Sequence, residues 1–166
     1  MILCLDMGNS HLYGGVYQNN TLTLRFRHTS IDCTSDMLGI FLKQVLLENG
    51  CAPKLIQKIA IASVVPAMDY SLRAACIKYF AIEPFILQAD TATTPITLHY
   101  PQASELGADR LANAIAAVHT FPHTNLIIID FGTATTYCAI SAEASYLGGA
   151  ILPGVRLSVE ALAKNT

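Results

Sequence analysis

Two stretches of this chain repeat one another. When "LCLDMGNSHLYGGVY" (residues 3–17) is laid over "IIIDFGTATTYCAIS" (127–141), Asp6 falls on Asp130, Gly8 on Gly132 and Asn9 on Thr133, at an offset of 124 residues. Each copy is an apolar run that ends on an aspartate, followed by a glycine-containing bend and a second strand-like run. The offset is too long for a solenoid repeat and fits a duplicated domain. One copy alone is better read as an Asx-turn, in which the aspartate caps its own bend. Two matching copies favour a shared device. In it, glycine permits a turn whose backbone N–H groups and hydroxyls converge on an anion, and a cation mediates between that anion and the carboxylate. A buried carboxylate without a partner costs several kcal/mol, so Asp130 at the end of "LIIID" is expected to have a compensating partner. Two such bends facing each other would clamp a polyphosphate and its metal.

Composition bounds what surrounds this device. The 166 residues give room for one ordinary domain, or one domain and part of another. With 52% hydrophobic and 13% charged residues the chain can bury a core, which excludes a disordered class. A formal charge of -2 with interspersed signs gives no electrostatic footprint for nucleic acid. Apolar runs such as "KIAIASVVPA" stop well short of the roughly 20 residues that span a bilayer, so no membrane partner is expected. The opening "MILCLDMGN" lacks a basic flank and meets Asp6 too early for a secretory signal, which predicts a cytoplasmic protein. Five scattered cysteines (4, 33, 51, 76 and 138) without C-x-x-C predict core thiols, neither a disulfide framework nor a zinc site.

The pattern of apolar residues predicts an α/β chain. "MILCLD" reads as a strand, and "LYGGVYQNNTLTLRFRH" as two more joined at Asn19-Asn20, residues that tolerate positive φ. Residues 34–49 carry apolar positions at helical spacing, with Thr34 or Ser35 as N-cap and Gly50 just past the end. "LIQKIAIASVVP" predicts a strand cut off by Pro66, and a second helix covers residues 70–80. "PFILQ" and "ITLHY" are short strand candidates. "SELGADRLANAIAAVHTF" reads as a helix that turns Leu111, Ile115 and Val118 inward and stops before Pro122. A boundary near residues 121–125 divides the chain into 1–120 and 121–166. His119 and His123 have i, i+4 spacing, but Pro122 breaks the helix that would align them, so they are not read as a metal pair.

Four motifs in order sharpen the reading. Neither G-x-x-x-x-G-K-[ST] nor G-x-G-x-x-G occurs. "DMGNS" at 6–10, "GADR" at 107–110, "DFGTATT" at 130–136 and "GGAILPG" at 148–154 resemble, in order and spacing, the successive motifs of type III pantothenate kinases. That family belongs to the superfamily of acetate and sugar kinases, heat-shock ATPases and actin. The resemblance implies duplicated ribonuclease H-like (actin-like ATPase) α/β domains with mixed sheets flanked by helices, the second domain incomplete in this chain.

The resemblance also implies roles. The first turn binds ATP phosphates, which assigns Asp6, Met7, Gly8, Asn9, Ser10, His11, Leu12 and Tyr13 to the nucleotide. The second turn assigns a monovalent cation, K+ or NH4+, to Asp130 and a nucleotide phosphate to Thr133. The GADR motif assigns Gly107, Ala108, Asp109 and Arg110 to the substrate, with Asp109 as the base that takes the proton of pantothenate's primary hydroxyl. Tyr100 falls where the family has a substrate-contacting aromatic. Residue chemistry is compatible with these roles. A carboxylate in the first turn of a helix is favoured in its ionised form by about 0.3–1 kcal/mol, and a guanidinium fork suits an acidic substrate. Read without the family, Asp-Arg at a helix start fits a solvated cap equally well. Gly148 and Gly149 would allow backbone to approach substrate closely.

The implied activity is ATP-dependent phosphorylation of pantothenate to 4'-phosphopantothenate, the entry to coenzyme A, with Mg2+ on the nucleotide and a homodimer as the assembly. "LAKNT" falls within the first helix of the second domain, where family members continue. This departure keeps open a catalytically impaired relative that binds ligand or dimerises. A phosphatase of the same superfamily would use water in place of the alcohol, and "GADR" argues against it.

Overall fold

The computed structural model describes residues 1–30, 32–89, 94–99 and 105–165, Asn165 by its backbone only. Tyr100 lies outside the described residues. The chain forms two compact units, Met1–Leu87 and Gln88–Thr166. The expected boundary at 120/121 therefore falls inside the second unit, because the helix that precedes it packs on the strands that follow.

The first unit begins as an antiparallel meander of β1 (Ile2–Met7), β2 (His11–Gln18) and β3 (Thr21–Thr29). The β2–β3 hairpin turns on Asn19 (φ 51°) and Asn20 (φ 61°), the positive-φ pair expected of asparagines in a two-residue loop. Helix α1 (Ser35–Glu48) follows, capped by Thr34, whose hydroxyl accepts from the Met37 N–H at 3.2 Å. Gly50 takes φ +72° just past its end. β4 (Lys58–Ser63) then returns parallel to β1, and β5 (Phe85–Ile86) adds parallel to β4, giving the order β3-β2-β1-β4-β5.

Between β4 and β5 runs α2 (Pro66–Phe80), which starts one turn earlier than expected. Pro66 ends strand pairing, as predicted, and also opens the helix, because its fixed φ and missing N–H suit the first helical position. The segment before β4 is a single 3-10 turn (Pro53–Leu55), so the strand is shorter than the apolar run suggested. Leu3, Leu5, Met7, Leu12, Leu38, Leu42, Leu46, Ile59, Ile61 and Leu72 form one buried cluster. Burial stabilises each such side chain by about 1.5–3 kcal/mol relative to exposure.

The second unit holds β6 (Thr97–Leu98), α3 (Ala108–Thr120), β7 (Leu126–Phe131), β8 (Ala134–Ile140), β9 (Ser145–Pro153) and α4 (Val155–Asn165). Its sheet has the order β6-β9-β8-β7, with β7, β8 and β9 antiparallel and β6 parallel to β9. Strand, strand, strand, helix thus occurs twice, at β1–β3 with α1 and at β7–β9 with α4. α3 starts at Ala108 with Gly107 as its N-cap, four residues later than expected from 104, and ends at Thr120 ahead of Pro122. Leu111 and Ala114 are fully buried beneath it, while Ile115 and Val118 are half-buried. The five cysteines are free; Cys33, Cys51, Cys76 and Cys138 are buried and Cys4 partly so.

The repeat breaks in one respect. β1 has β2 on one side and β4 on the other, whereas β7 pairs only with β8 among the described residues. Ile127, Ile129 and Phe131, alternate residues that share one face of β7, are exposed, at 68%, 46% and 71%.

Candidate active site

The first turn links β1 to β2. Met7 pairs with Leu12, and the Gly8 N–H donates to the His11 carbonyl at 3.0 Å, which closes the bend and uses that N–H within the turn. Asn9 is exposed, and Ser10 is half-buried with its carbonyl accepting from the Ser30 N–H at 3.2 Å. Asp6 precedes the bend, half-buried, with Oδ1 shielded from solvent. Met7 and Leu12 are fully buried in the core, so only their backbone is open to a ligand role. The Tyr13 ring is half exposed and lies 5.9 Å from that of His11.

The second turn is one residue tighter. Phe131 pairs with Thr135 four positions on, where Met7 pairs with Leu12 five positions on. The Gly132 N–H donates to the Ala134 carbonyl at 2.9 Å. The match of Asp6 to Asp130 and Gly8 to Gly132 holds up to the bend, and the register shifts by one after it. Asp130 is exposed, contrary to the expectation of a buried carboxylate. An exposed carboxylate keeps its hydration, so desolvation does not demand a counter-ion here. Its Oδ2 accepts from Asn113 Nδ2 on α3 at 3.1 Å.

Gly154, the last residue of the GGAILPG motif, shapes this turn. A Cβ at Gly154 would lie 2.3 Å from the Thr133 carbonyl oxygen and 2.7 Å from that of Gly132. Its own carbonyl accepts from the Ser158 N–H at 2.9 Å, so it is the N-cap of α4. Thr133 therefore sits against a helix N-terminus, where unsatisfied N–H groups and the macrodipole favour an anion. The available signal was a glycine at the strand-to-helix junction "LPGV". Backbone carbonyls such as those of Gly132 and Thr133 are the type of oxygen donor that a hard cation accepts. Among the described residues no three His, Cys, Asp or Glu side chains cluster as a transition-metal site.

The GADR motif opens α3. Asp109, half-buried in the first turn, accepts the Arg110 backbone N–H on Oδ1 at 2.7 Å, which leaves Oδ2 for another partner. Arg110 reaches across to β8, donating from Nε to Cys138 Sγ at 3.3 Å and from Nη2 to the Tyr137 carbonyl at 3.2 Å. Burial pulls the Arg110 pKa down, but the hydrogen bond to Cys138 and the electrostatic pull of Cys138, Tyr146 and Asp109 outweigh it. The net shift is upward, so the guanidinium stays charged. Gly107 is half-buried at the N-cap, and the Ala108 side chain is buried in the core, so Ala108 too is limited to backbone contact.

A family model described as type III pantothenate kinase matches residues 2–166. The chain belongs to the type III pantothenate kinase family. A type III pantothenate kinase of Legionella pneumophila (strain Corby) is 64% identical over 166 residues, covering 100% of this chain and 64% of the relative. One from Elusimicrobium minutum (strain Pei191) is 49% identical, covering 99% of this chain and 64% of that relative. The chain thus spans somewhat under two thirds of the length of these relatives. Among solved structures, a Sinorhizobium meliloti protein assigned as a 2-dehydro-3-deoxygalactonokinase superposes with a TM-score of 0.58 at 13% identity, over 100% of this chain and 57% of that one. Likeness at that identity speaks to fold alone: the mixed α/β sheets flanked by helices correspond to part of the fold of that structure. No helix among the described residues is long and apolar enough to cross a membrane.

Proposed function

We propose that the protein transfers a phosphoryl group from ATP to the primary hydroxyl of pantothenate, giving 4'-phosphopantothenate, the first step of coenzyme A biosynthesis. The observation that carries this reading is Asp109. It stands in the first helical turn of the GADR motif with Oδ1 held by its neighbour's N–H and Oδ2 making no hydrogen bond among the described residues, in a chain whose residues 2–166 match the family. A carboxylate so held is oriented to take a proton from an alcohol.

Asp109 Oδ2 accepts the hydroxyl proton as the alcohol oxygen forms its bond to phosphorus and the terminal phosphoanhydride bond breaks, so the alcohol proton ends on the carboxyl group. Asn9 and Ser10, with the backbone of Met7, His11 and Leu12 and the half-exposed ring of Tyr13, hold the ATP phosphates at the first turn, which Gly8 shapes, and Asp6 meets them through a bound cation. Thr133 holds a phosphate against the N-terminus of α4. Asp130 with the adjoining carbonyls takes K+ or NH4+. Mg2+ on the nucleotide supplies charge neutralisation as the phosphoryl group moves. Gly107 and Ala108 through backbone, Arg110 through its guanidinium, and Tyr100 bind pantothenate. A homodimer and a cytoplasmic location belong to the same reading.

The test is ADP release coupled to NADH oxidation, with pantothenate, Mg2+ and K+ present. Turnover that requires pantothenate and disappears in Asp109→Asn supports the assignment. Phosphate release without pantothenate would favour the phosphatase reading, and ligand binding without turnover the impaired relative.

A further inference from the structure

Arg110 does not have its whole guanidinium free for a ligand. Of its five N–H donors, one on Nε points to Cys138 Sγ (3.3 Å) and one on Nη2 to the Tyr137 carbonyl (3.2 Å). Nε and Nη2 are the two nitrogens of the side-on edge, so that edge is taken by adjacent residues of β8. The end-on edge, Nη1 with the second hydrogen of Nη2, makes no hydrogen bond among the described residues.

Three further features make this a built seat. Cys138 is 2% exposed, and its sulfur also accepts from the Tyr146 hydroxyl at 3.3 Å. The Tyr146 ring lies below the guanidinium, 6.0 Å from centroid to Cζ, within cation–π range. Gly149 is the cross-strand partner of Cys138, and a Cβ there would stand 2.4 Å from Arg110 Nη2 and 2.0 Å from the Tyr137 carbonyl oxygen. Only glycine leaves the guanidinium room to lie across the β8–β9 ladder. A thiol is an unusual acceptor to bury opposite an arginine, and as a weak one it orients the fork without neutralising it.

We infer that Cys138 is a positioning residue: with the Tyr137 carbonyl it occupies the side-on edge of Arg110 and aims the end-on edge at the carboxylate of the acidic substrate. This rests on the proposed reading in which Arg110 meets pantothenate. Cys138 would then govern discrimination between the acid and its uncharged analogue, and leave the proton transfer at Asp109 alone.

The experiment compares the dissociation constants of pantothenate and pantothenyl alcohol, measured by calorimetry on the parent chain, Cys138→Ala, Cys138→Ser and Arg110→Gln. Cys138→Ala is expected to weaken pantothenate by about fivefold, the equivalent of one ordinary hydrogen bond, with the alcohol unchanged. Cys138→Ser, which restores an acceptor, is expected to recover part of the loss. Equal loss for both ligands, or no loss for either, overturns the inference, as does an Arg110→Gln variant that binds pantothenate like the parent. If the parent binds neither ligand, the substrate reading itself fails, and the seat is then judged by hydrogen exchange of the Arg110 Nε–H in NMR spectra. Slow exchange in the parent that quickens in Cys138→Ala retains the seat; fast exchange in the parent removes it.

Discussion

Replacing Gly154 by alanine tests the proposed phosphate turn through a residue that is expected to touch no ligand. The new methyl group would stand 2.3 Å from the Thr133 carbonyl oxygen and 2.7 Å from that of Gly132. Both are backbone atoms, so neither can rotate aside. Real Cβ atoms essentially never approach closer than 3.0 Å, which forces turn and helix apart by at least the 0.7 Å difference. Overpacking of this kind costs about 1–3 kcal/mol of stability, and a misplacement near 1 Å in a positioning element costs on the order of 10²-fold in rate. The assay is titration of a fluorescent ATP analogue by anisotropy, beside a thermal melt. Gly154→Ala should bind the analogue about tenfold or more weakly while still melting cooperatively. Gly50→Ala is the control: it has φ +72° and nothing within 4 Å of the new methyl. It should lose about 1 kcal/mol of stability and no nucleotide affinity. A folded Gly154→Ala protein with parental affinity would refute the role given to Thr133 and the α4 N-terminus.

Other outcomes follow from the first unit. Leu42 is fully buried on α1, so Leu42→Ala should lose about 2–5 kcal/mol in urea unfolding; a loss well under 1 kcal/mol would contradict the packing described. Hydrogen bonds from Lys78 and Tyr79 hold the Asp36 carboxyl below its ordinary value of 3.8. The stability this contributes is present above that pH and is lost as pH falls through the depressed value. Asp36→Asn should therefore narrow the difference between urea midpoints at neutral and strongly acid pH, and an unchanged difference would contradict the contact. Burial first, and then the charge of Glu83, push the Cys76 thiol up to about 12. Iodoacetamide at pH 8 should label it only after denaturation, and native labelling seen by peptide mass mapping would contradict its burial.

Much of this was legible because local signals and tertiary fold agree. The Asn19-Asn20 hairpin, the Thr34 cap and the stop at Gly50 are each decided by backbone chemistry within a few residues. The aspartate and glycine of the two bends are legible for the same reason. From its neighbours in sequence Pro66 reads only as a strand breaker, although the same fixed φ opens α2. The apolar run "LIIID" suggests burial on both faces, yet burial of a face depends on the layer packed over it, which a sequence window does not reveal. Leu3, Leu5 and Met7 of β1 share a buried cluster with Leu38, Leu42 and Leu46 of α1, whereas Ile127, Ile129 and Phe131 of β7 are exposed. The one-residue tightening of the second bend is invisible in an ungapped overlay, because the motif letters precede the shift. Gly154 and Cys138 act through residues 21 and 28 positions away, Thr133 and Arg110, and long-range contacts of that kind carry no periodic signal.

The most direct measurement is the mass and position of any phosphorylated product formed from pantothenate and ATP by the parent chain and by Asp109→Asn. The account predicts 4'-phosphopantothenate from the parent, with a rate about 10²- to 10⁴-fold lower in the variant and nucleotide affinity retained. Equal product from the two proteins, or phosphate released to water with pantothenate untouched, would contradict it.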